Sequence, residues 1–231
     1  ISINRAVIGP QHIVADRVAE DVAYIRLPAF DPMDVTELRE KLIQFDKQGL
    51  HKLVLDLRDC TRGGFPDAIA AAQLFLSSGK ITSLEGQTVA RKDFTAETDK
   101  AVWRAQVDVL TSPSTSGAAE VLAGAIKGNK RGDVVGERTF GSASEQKVIP
   151  LDDGGAVILT VAFYSTPDGK SIVDDGVTPT VEVHPKPLDP SATVDTEDVP
   201  PLGPGQLPKA DDPVYKKALE LLKGGEARKA A

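Results

Sequence analysis

Along this chain the apolar positions change period several times, and each change marks an expected element. Val22 to Leu27 reads as a buried strand. Asp31-Pro32 opens a helix, with Asp31 as the N-cap and the proline in the first turn. Val35, Leu38, Leu42 and Phe45 then recur at three- and four-residue spacing, the stripe of a helix facing a core, and Gly49 ends it. Lys52 to Leu57 is a short, mostly apolar run with the character of an interior strand. A loop from Arg58 to Gly64 leads to a second helix over Asp67 to Leu76, stopped by Ser77-Ser78-Gly79. This β–α–β–α order predicts an α/β chain with a largely parallel sheet.

Residues 80–104 are more polar and read as a variable insertion. Val107 to Leu110 restores a strand, and Thr111 to Ser116 is a turn of small polar residues. Ala118 to Ile126 is expected as a helix packed closely through Ala119, Ala123, Gly124 and Ala125. Asp133 to Gly136 is a short strand, and Val148 to Leu151 with Ala156 to Phe163 forms a hairpin around Asp152-Asp153-Gly154-Gly155. Four segments follow from this pattern. Residues 1–20 are an extended, partly exposed N-terminal extension; 21–184 are the core; 185–210 are a linker rich in Pro, Asp and Thr; and 211–231 are a short helix (Val214 to Leu222) and tail. Tyr215, Leu219 and Leu222 are available to dock that helix.

Composition narrows the function classes. The chain has 231 residues, 41% of them apolar, enough for one sizeable core. A net charge of −7 gives no electrostatic support to a nucleic-acid partner. The one cysteine, Cys60, excludes an internal disulfide. No apolar run reaches the ~18 residues of a membrane span, and no signal peptide opens the chain. His12, His51 and His184 lack metal-ligand spacing, so neither a metal nor a cofactor is expected.

Four stretches carry a resemblance. Leu55-Asp56-Leu57-Arg58 is followed by Gly63-Gly64 and Leu74-Phe75-Leu76. Glu120-Val121-Leu122-Ala123-Gly124-Ala125 precedes Asn129-Lys130-Arg131. Val135-Gly136-Glu137-Arg138-Thr139-Phe140-Gly141 runs toward Gln146. Ile149-Pro150-Leu151-Asp152-Asp153-Gly154 comes before Tyr164-Ser165-Thr166-Pro167-Asp168-Gly169. In order and spacing, over about residues 20–184, the chain resembles the tail-specific (C-terminal processing) serine proteases. The resemblance implies a crotonase/ClpP-like core of β-β-α units with a largely parallel central sheet, followed by an extended C-terminal tail. It also implies a Ser–Lys dyad, in which a serine at a helix start attacks the peptide carbonyl and a neutral lysine takes its proton.

Here the family's motifs place the nucleophile three residues before Glu120, at Gly117, and the lysine directly after Phe140-Gly141, at Ser142. The helping glutamine falls on Gln146, and backbone N–H donors for the oxyanion fall on Gly63 and Ala118. Glycine cannot be acylated and serine has no basic nitrogen. Loss of a nucleophile and base that act as a unit lowers activity by ~10⁶-fold. A displaced nucleophile at Ser116, with Lys147 as base, is the alternative; so are helix capping by Ser114, Thr115 and Ser116 and a solvated Lys147. Cys60 reads as a buried small hydrophobe rather than a nucleophile. Arg58 is expected to fix its loop by pairing with Asp56, Asp59 or Glu137, and Glu120 to support the first turn of its helix.

Three functions are open at this point: an inactive relative that keeps a peptide-binding groove, a divergent active peptidase, and an acyl-CoA enzyme of the wider crotonase-like group. The expected partner is a polypeptide or its C-terminal tail. Family members usually carry a preceding PDZ domain, for which the twenty or so residues before Tyr24 are too few. The resemblance also implies export to the periplasm, cell envelope or chloroplast lumen.

Overall fold

The computed structural model describes residues 13–184 and 206–224. Two sheets organise them. The first has six strands in the order β1-β2-β3-β6-β7-β10: β1 (Val14–Arg17), β2 (Val22–Arg26), β3 (Lys52–Asp56), β6 (Gln106–Thr111), β7 (Val134–Gly136) and β10 (Val181–Glu182). All neighbours in it are parallel except the edge pair β1–β2. The second sheet is antiparallel, in the order β5-β4-β9-β8: β4 (Lys80–Glu85), β5 (Lys92–Thr95), β8 (Ser144–Pro150) and β9 (Ala156–Ser165). The fold is the α/β core with a largely parallel central sheet that the sequence implies.

Both faces of the parallel sheet are covered, which is why its strands read as near-continuous apolar runs. Helices α1 (Pro32–Lys47), α2 (Phe65–Gln73) and α3 (Ala118–Gly128) pack on one face, through Leu38, Leu42, Ala68, Ala72, Val121 and Leu122. Helix α4 (Pro213–Gly224) lies on the other, where Val214, Tyr215, Ala218 and Leu222 meet Val22, Tyr24, Val54, Leu110 and Val135. The expected docking residues Tyr215 and Leu222 are buried there, and Leu219 packs at the edge of that cluster. Asp31 caps α1, accepting the Asp34 N–H at 2.8 Å as its position before Pro32 suggests.

Three expectations need correction. The 80–104 insertion is instead part of the second sheet: β4 sits between β5 and β9, with Thr82 and Ser83 buried and the Thr82 hydroxyl bound to the Ser165 carbonyl at 2.7 Å. The second helix runs Phe65–Gln73 rather than Asp67 to Leu76. It stops because the Leu74 carbonyl accepts the N–H groups of Val102 and Trp103, both at 2.9 Å. The hairpin strand expected from Val148 begins at Ser144, and so includes Gln146 and Lys147. The extended reading of 1–20 falls on a strand from Val14, while residues 1–12, 185–205 of the linker and 225–231 of the tail lie outside the described residues.

One polar network ties α4 to the sheet. The Arg58 guanidinium spans the buried Asp56 carboxylate (Nη2 to Oδ2, 2.6 Å) and Asp212 (Nη1 to Oδ2, 2.6 Å). Tyr24 also donates to Asp56 at 2.8 Å, and burial with the Asp56 charge pushes the Tyr24 phenol well above its ordinary value. The other Asp212 oxygen accepts from the N–H groups of Val214 and Tyr215, capping α4. Arg58 is thus a fixing residue, through Asp56 as expected and through Asp212 rather than Asp59 or Glu137. Asp212→Ala should lower unfolding free energy by about 1–3 kcal/mol, since it removes a cap and a charge-assisted pair. Asp212→Asn, which can still cap, should lose less. Urea denaturation of both variants checks this order.

Candidate active site

The strand-to-helix turn from β6 into α3 is built from short polar side chains. Buried Thr115 accepts the Ser112 N–H and donates to the Leu57 carbonyl, each at 3.0 Å, and this fastens the turn to the loop after β3. The Ser116 N–H donates to the Cys60 carbonyl at 3.1 Å, and the Phe140 N–H to the Thr115 carbonyl at 2.9 Å. Three loops, after β3, β6 and β7, therefore meet at residue 117.

Gly117 is the N-cap of α3, at φ 59° and ψ −116°. Side-chain-bearing residues rarely adopt this conformation, and holding one there costs about 1–3 kcal/mol. Glycine adopts it without a Cβ penalty. A Cβ built at Gly117 would meet nothing within 4 Å, so the space in front of the position is open. The Gly117 N–H points at the Ser142 hydroxyl, 3.1 Å away. The two positions singled out in the sequence are therefore in contact, at the start of a helix.

Glu120 holds that contact in place. It is fully buried and lies on the first turn of α3. Its Oε2 accepts the N–H groups of Gly117 (2.9 Å) and Ser142 (2.8 Å); its Oε1 accepts the Gly141 N–H (2.6 Å) and the Thr139 hydroxyl (2.5 Å). The Gly117 bond is the reciprocal half of a capping box, in line with a supporting role in the first turn. The bonds to 139–142 were not foreseen, and they pin the following loop against the helix. The Thr139 hydroxyl in turn accepts the Val177 N–H at 2.7 Å.

The two N–H groups expected as oxyanion donors, those of Gly63 and Ala118, have no backbone partner among the described residues. Phe30 bonds on both sides of Gly63, to the Arg62 carbonyl and the Gly64 N–H, and leaves the Gly63 N–H uncommitted. Gly63 sits at φ 124°, and a Cβ there would lie 2.2 Å from the Phe30 carbonyl oxygen, so the close approach requires glycine. Ala118 is the first residue of α3, where helix N–H groups are free of intrahelical bonds.

The remaining candidates take no part in the contact between Gly117 and Ser142. Gln146 is exposed on β8, and its side chain makes no hydrogen bond to Gly117 or Ser142. Lys147, next to it, is exposed too. Ser116 is half-buried. Cys60 is fully buried, as a small hydrophobe should be, and burial pushes its thiol up to about 12. His51 is exposed; His184 pairs with Glu137 and Glu182, and the hydrogen bond to Glu137, with the charges of both, raises its pKa; and His12 lies outside the described residues. Among the described residues no group of three or more His, Cys, Asp or Glu could hold a metal, and no helix is long and apolar enough to cross a membrane.

Comparison with known proteins identifies the family and the fold. Residues 21–183 match the family model described as peptidase family S41. The chain is 34% identical over 211 residues to the carboxyl-terminal-processing protease of a Synechocystis species, covering 91% of this chain and 46% of that protein. It is 35% identical over 169 residues to the chloroplastic C-terminal processing peptidase of Tetradesmus obliquus, covering 73% and 36%. A solved photosystem II D1 C-terminal processing protease superposes with a TM-score of 0.70 at 32% identity, covering 79% of this chain and 50% of that one. The chain spans less than half the length of the two curated relatives.

Glu120→Gln turns an NH₂ group toward donors that now face oxygen. It should cost about 2–4 kcal/mol of stability, and amide exchange at Gly117, Gly141 and Ser142 should accelerate more than in the α1 core. Hydrogen exchange read residue by residue checks this. Cys60 should resist iodoacetamide at pH 8 in the folded protein and react once urea unfolds it, because only the thiolate attacks.

Proposed function

The chain belongs to peptidase family S41, the C-terminal processing proteases, and on that premise we propose that it is a core that holds polypeptide tails without cleaving them. The observation that carries the reading is the turn at Gly117: a helix start in a conformation that a residue with a side chain rarely adopts, with open space at the Cβ position and Ser142 against its N–H. A nucleophile elbow has this character, because a sharp strand-to-helix turn aims a side chain into the cleft. Here the turn is present and the side chain is not.

The chemistry follows from what stands at each position. Gly117 offers no atom to acylate. The Ser142 hydroxyl can exchange hydrogen bonds but cannot hold a proton as a neutral amine would. The N–H groups of Gly63 and Ala118 supply two donors for a peptide carbonyl, and an extended chain laid past the start of α3 can be bound through its backbone alone. Binding in this reading keeps the donors of the oxyanion site and lacks the step that breaks the bond. The unit that does this is the core at 21–184, with the nucleophile position at Gly117, the lysine position at Ser142 and the glutamine at Gln146. Export is the matching location by resemblance, in keeping with the chloroplastic naming of one relative.

Incubation with unfolded protein or tail peptides should give no cleavage above background, and Ser116→Ala should change nothing. Cleavage abolished by Ser116→Ala would mean that the nucleophile has moved by one residue. The paired change Gly117→Ser with Ser142→Lys should restore labelling by a fluorophosphonate probe above either single variant. Serine at 117 must carry about 1–3 kcal/mol of backbone strain, so each variant needs a matching melting curve. A folded double variant that stays unlabelled would show that more than the dyad is missing, and would overturn the reading.

A further inference from the structure

The exposed apolar side chains of this protein are concentrated in one place. Val148, Ile149, Leu151, Val157, Ile158 and Leu159 all belong to the β8–β9 ribbon or its turn, and all are substantially exposed. The cross-strand pairs put apolar side chains on both faces: Val148 opposite Ile158 (61% and 63% exposed) on one, Ile149 opposite Val157 on the other. Together they present on the order of 500 Å² of apolar side chain, the larger part of the ~800 Å² that each partner buries in a standard interface. An exposed apolar edge strand of this kind invites pairing with another strand.

β8 is also the edge of its sheet. The Leu151 N–H bonds inward to Gly155, and the Ala143 carbonyl bonds inward to Tyr164, so odd-numbered residues of β8 turn their backbone groups to β9. The even-numbered Ser144, Gln146, Val148 and Pro150 turn theirs outward. We propose that this edge pairs with the β8 of a second copy of the chain, antiparallel, about a two-fold axis at Gln146. Three features of the strand select that partner and that register.

Centred on Gln146, the pairing sets Gln146 opposite its own copy and Ser144 opposite Val148 of the copy. All three have outward N–H and C=O groups to exchange. Pro150, which has no N–H to give, falls outside this set. The same register sets Lys147 opposite Glu145 of the copy, twice, so the charges on this edge are self-complementary. A two-fold centred one residue on, at Lys147, would put like charges face to face. Such an interface is isologous, the commonest form of association between identical chains. It joins two four-stranded sheets into one and brings the apolar ribbons of both copies together.

Sedimentation equilibrium of the 231-residue chain should show a reversible monomer–dimer equilibrium. Lys147→Glu replaces two opposite-charge pairs by two like-charge pairs and should weaken the dimer by roughly tenfold or more. Adding Glu145→Lys to it should restore association, because the swapped pair is again complementary. Gln146→Cys should give a covalent dimer under mild oxidation, since opposed residues in this pairing lie about 5.5 Å apart at Cα, within disulfide reach. Unchanged melting curves show that the variants are folded. A chain that stays monomeric at every concentration overturns the proposal and leaves the ribbon to a different protein. A dimer indifferent to Lys147→Glu overturns it equally, because association then uses another surface.

Discussion

The buried carboxylate of Glu120 is the contact on which the geometry of the site depends. It lies in the first turn of α3 and receives four hydrogen bonds, from Gly117, Thr139, Gly141 and Ser142. A carboxylate fully removed from water is costly unless donors replace its hydration, and here the loop after β7 supplies three of them. That requirement fixes the loop on the helix start. Residues 117 and 142, far apart in the chain, are thereby held at hydrogen-bond distance. Thr115 does the same for the loop after β3, through the Leu57 carbonyl, so the turn is braced from both sides.

This bracing holds the turn at Gly117 in a conformation that suits glycine and would strain a residue with a side chain. The contacts that hold it are backbone and Glu120 contacts that do not involve a side chain at 117. The shape of the turn therefore does not depend on which side chain stands at 117. The same logic separates binding from cleavage. The backbone donors at Gly63 and Ala118 survive any side-chain change, whereas acyl transfer needs an oxygen and an amine that this chain does not carry at those positions.

Much of the parallel sheet was legible in the sequence, because strands covered on both faces leave unbroken apolar runs such as Leu53-Val54-Leu55. The contact between 117 and 142 was legible for a different reason: two separate motifs each located one of the residues. What escaped was set by long-range polar contacts. β4 buries Thr82 and Ser83, which break the apolar pattern, and a hydroxyl-to-carbonyl bond to β9 compensates for their burial. The end of α2 is decided by Leu74 accepting two N–H groups from nearly thirty residues away. The reach of Glu120 to Thr139 and Gly141 left its only trace in the Thr-Phe-Gly run, whose meaning in the sequence was the position of the base. Asp212 became visible as the second partner of Arg58 only once α4 was seen on the sheet.

The central claim is that the site binds a polypeptide tail and leaves it intact. The most direct measurement is fluorescence polarisation of a labelled, unstructured C-terminal peptide titrated with the protein, followed by mass analysis of the peptide after prolonged incubation. The account predicts saturable binding, with the peptide recovered at full length. A peptide recovered shortened, or one whose polarisation never rises at any protein concentration, would contradict it.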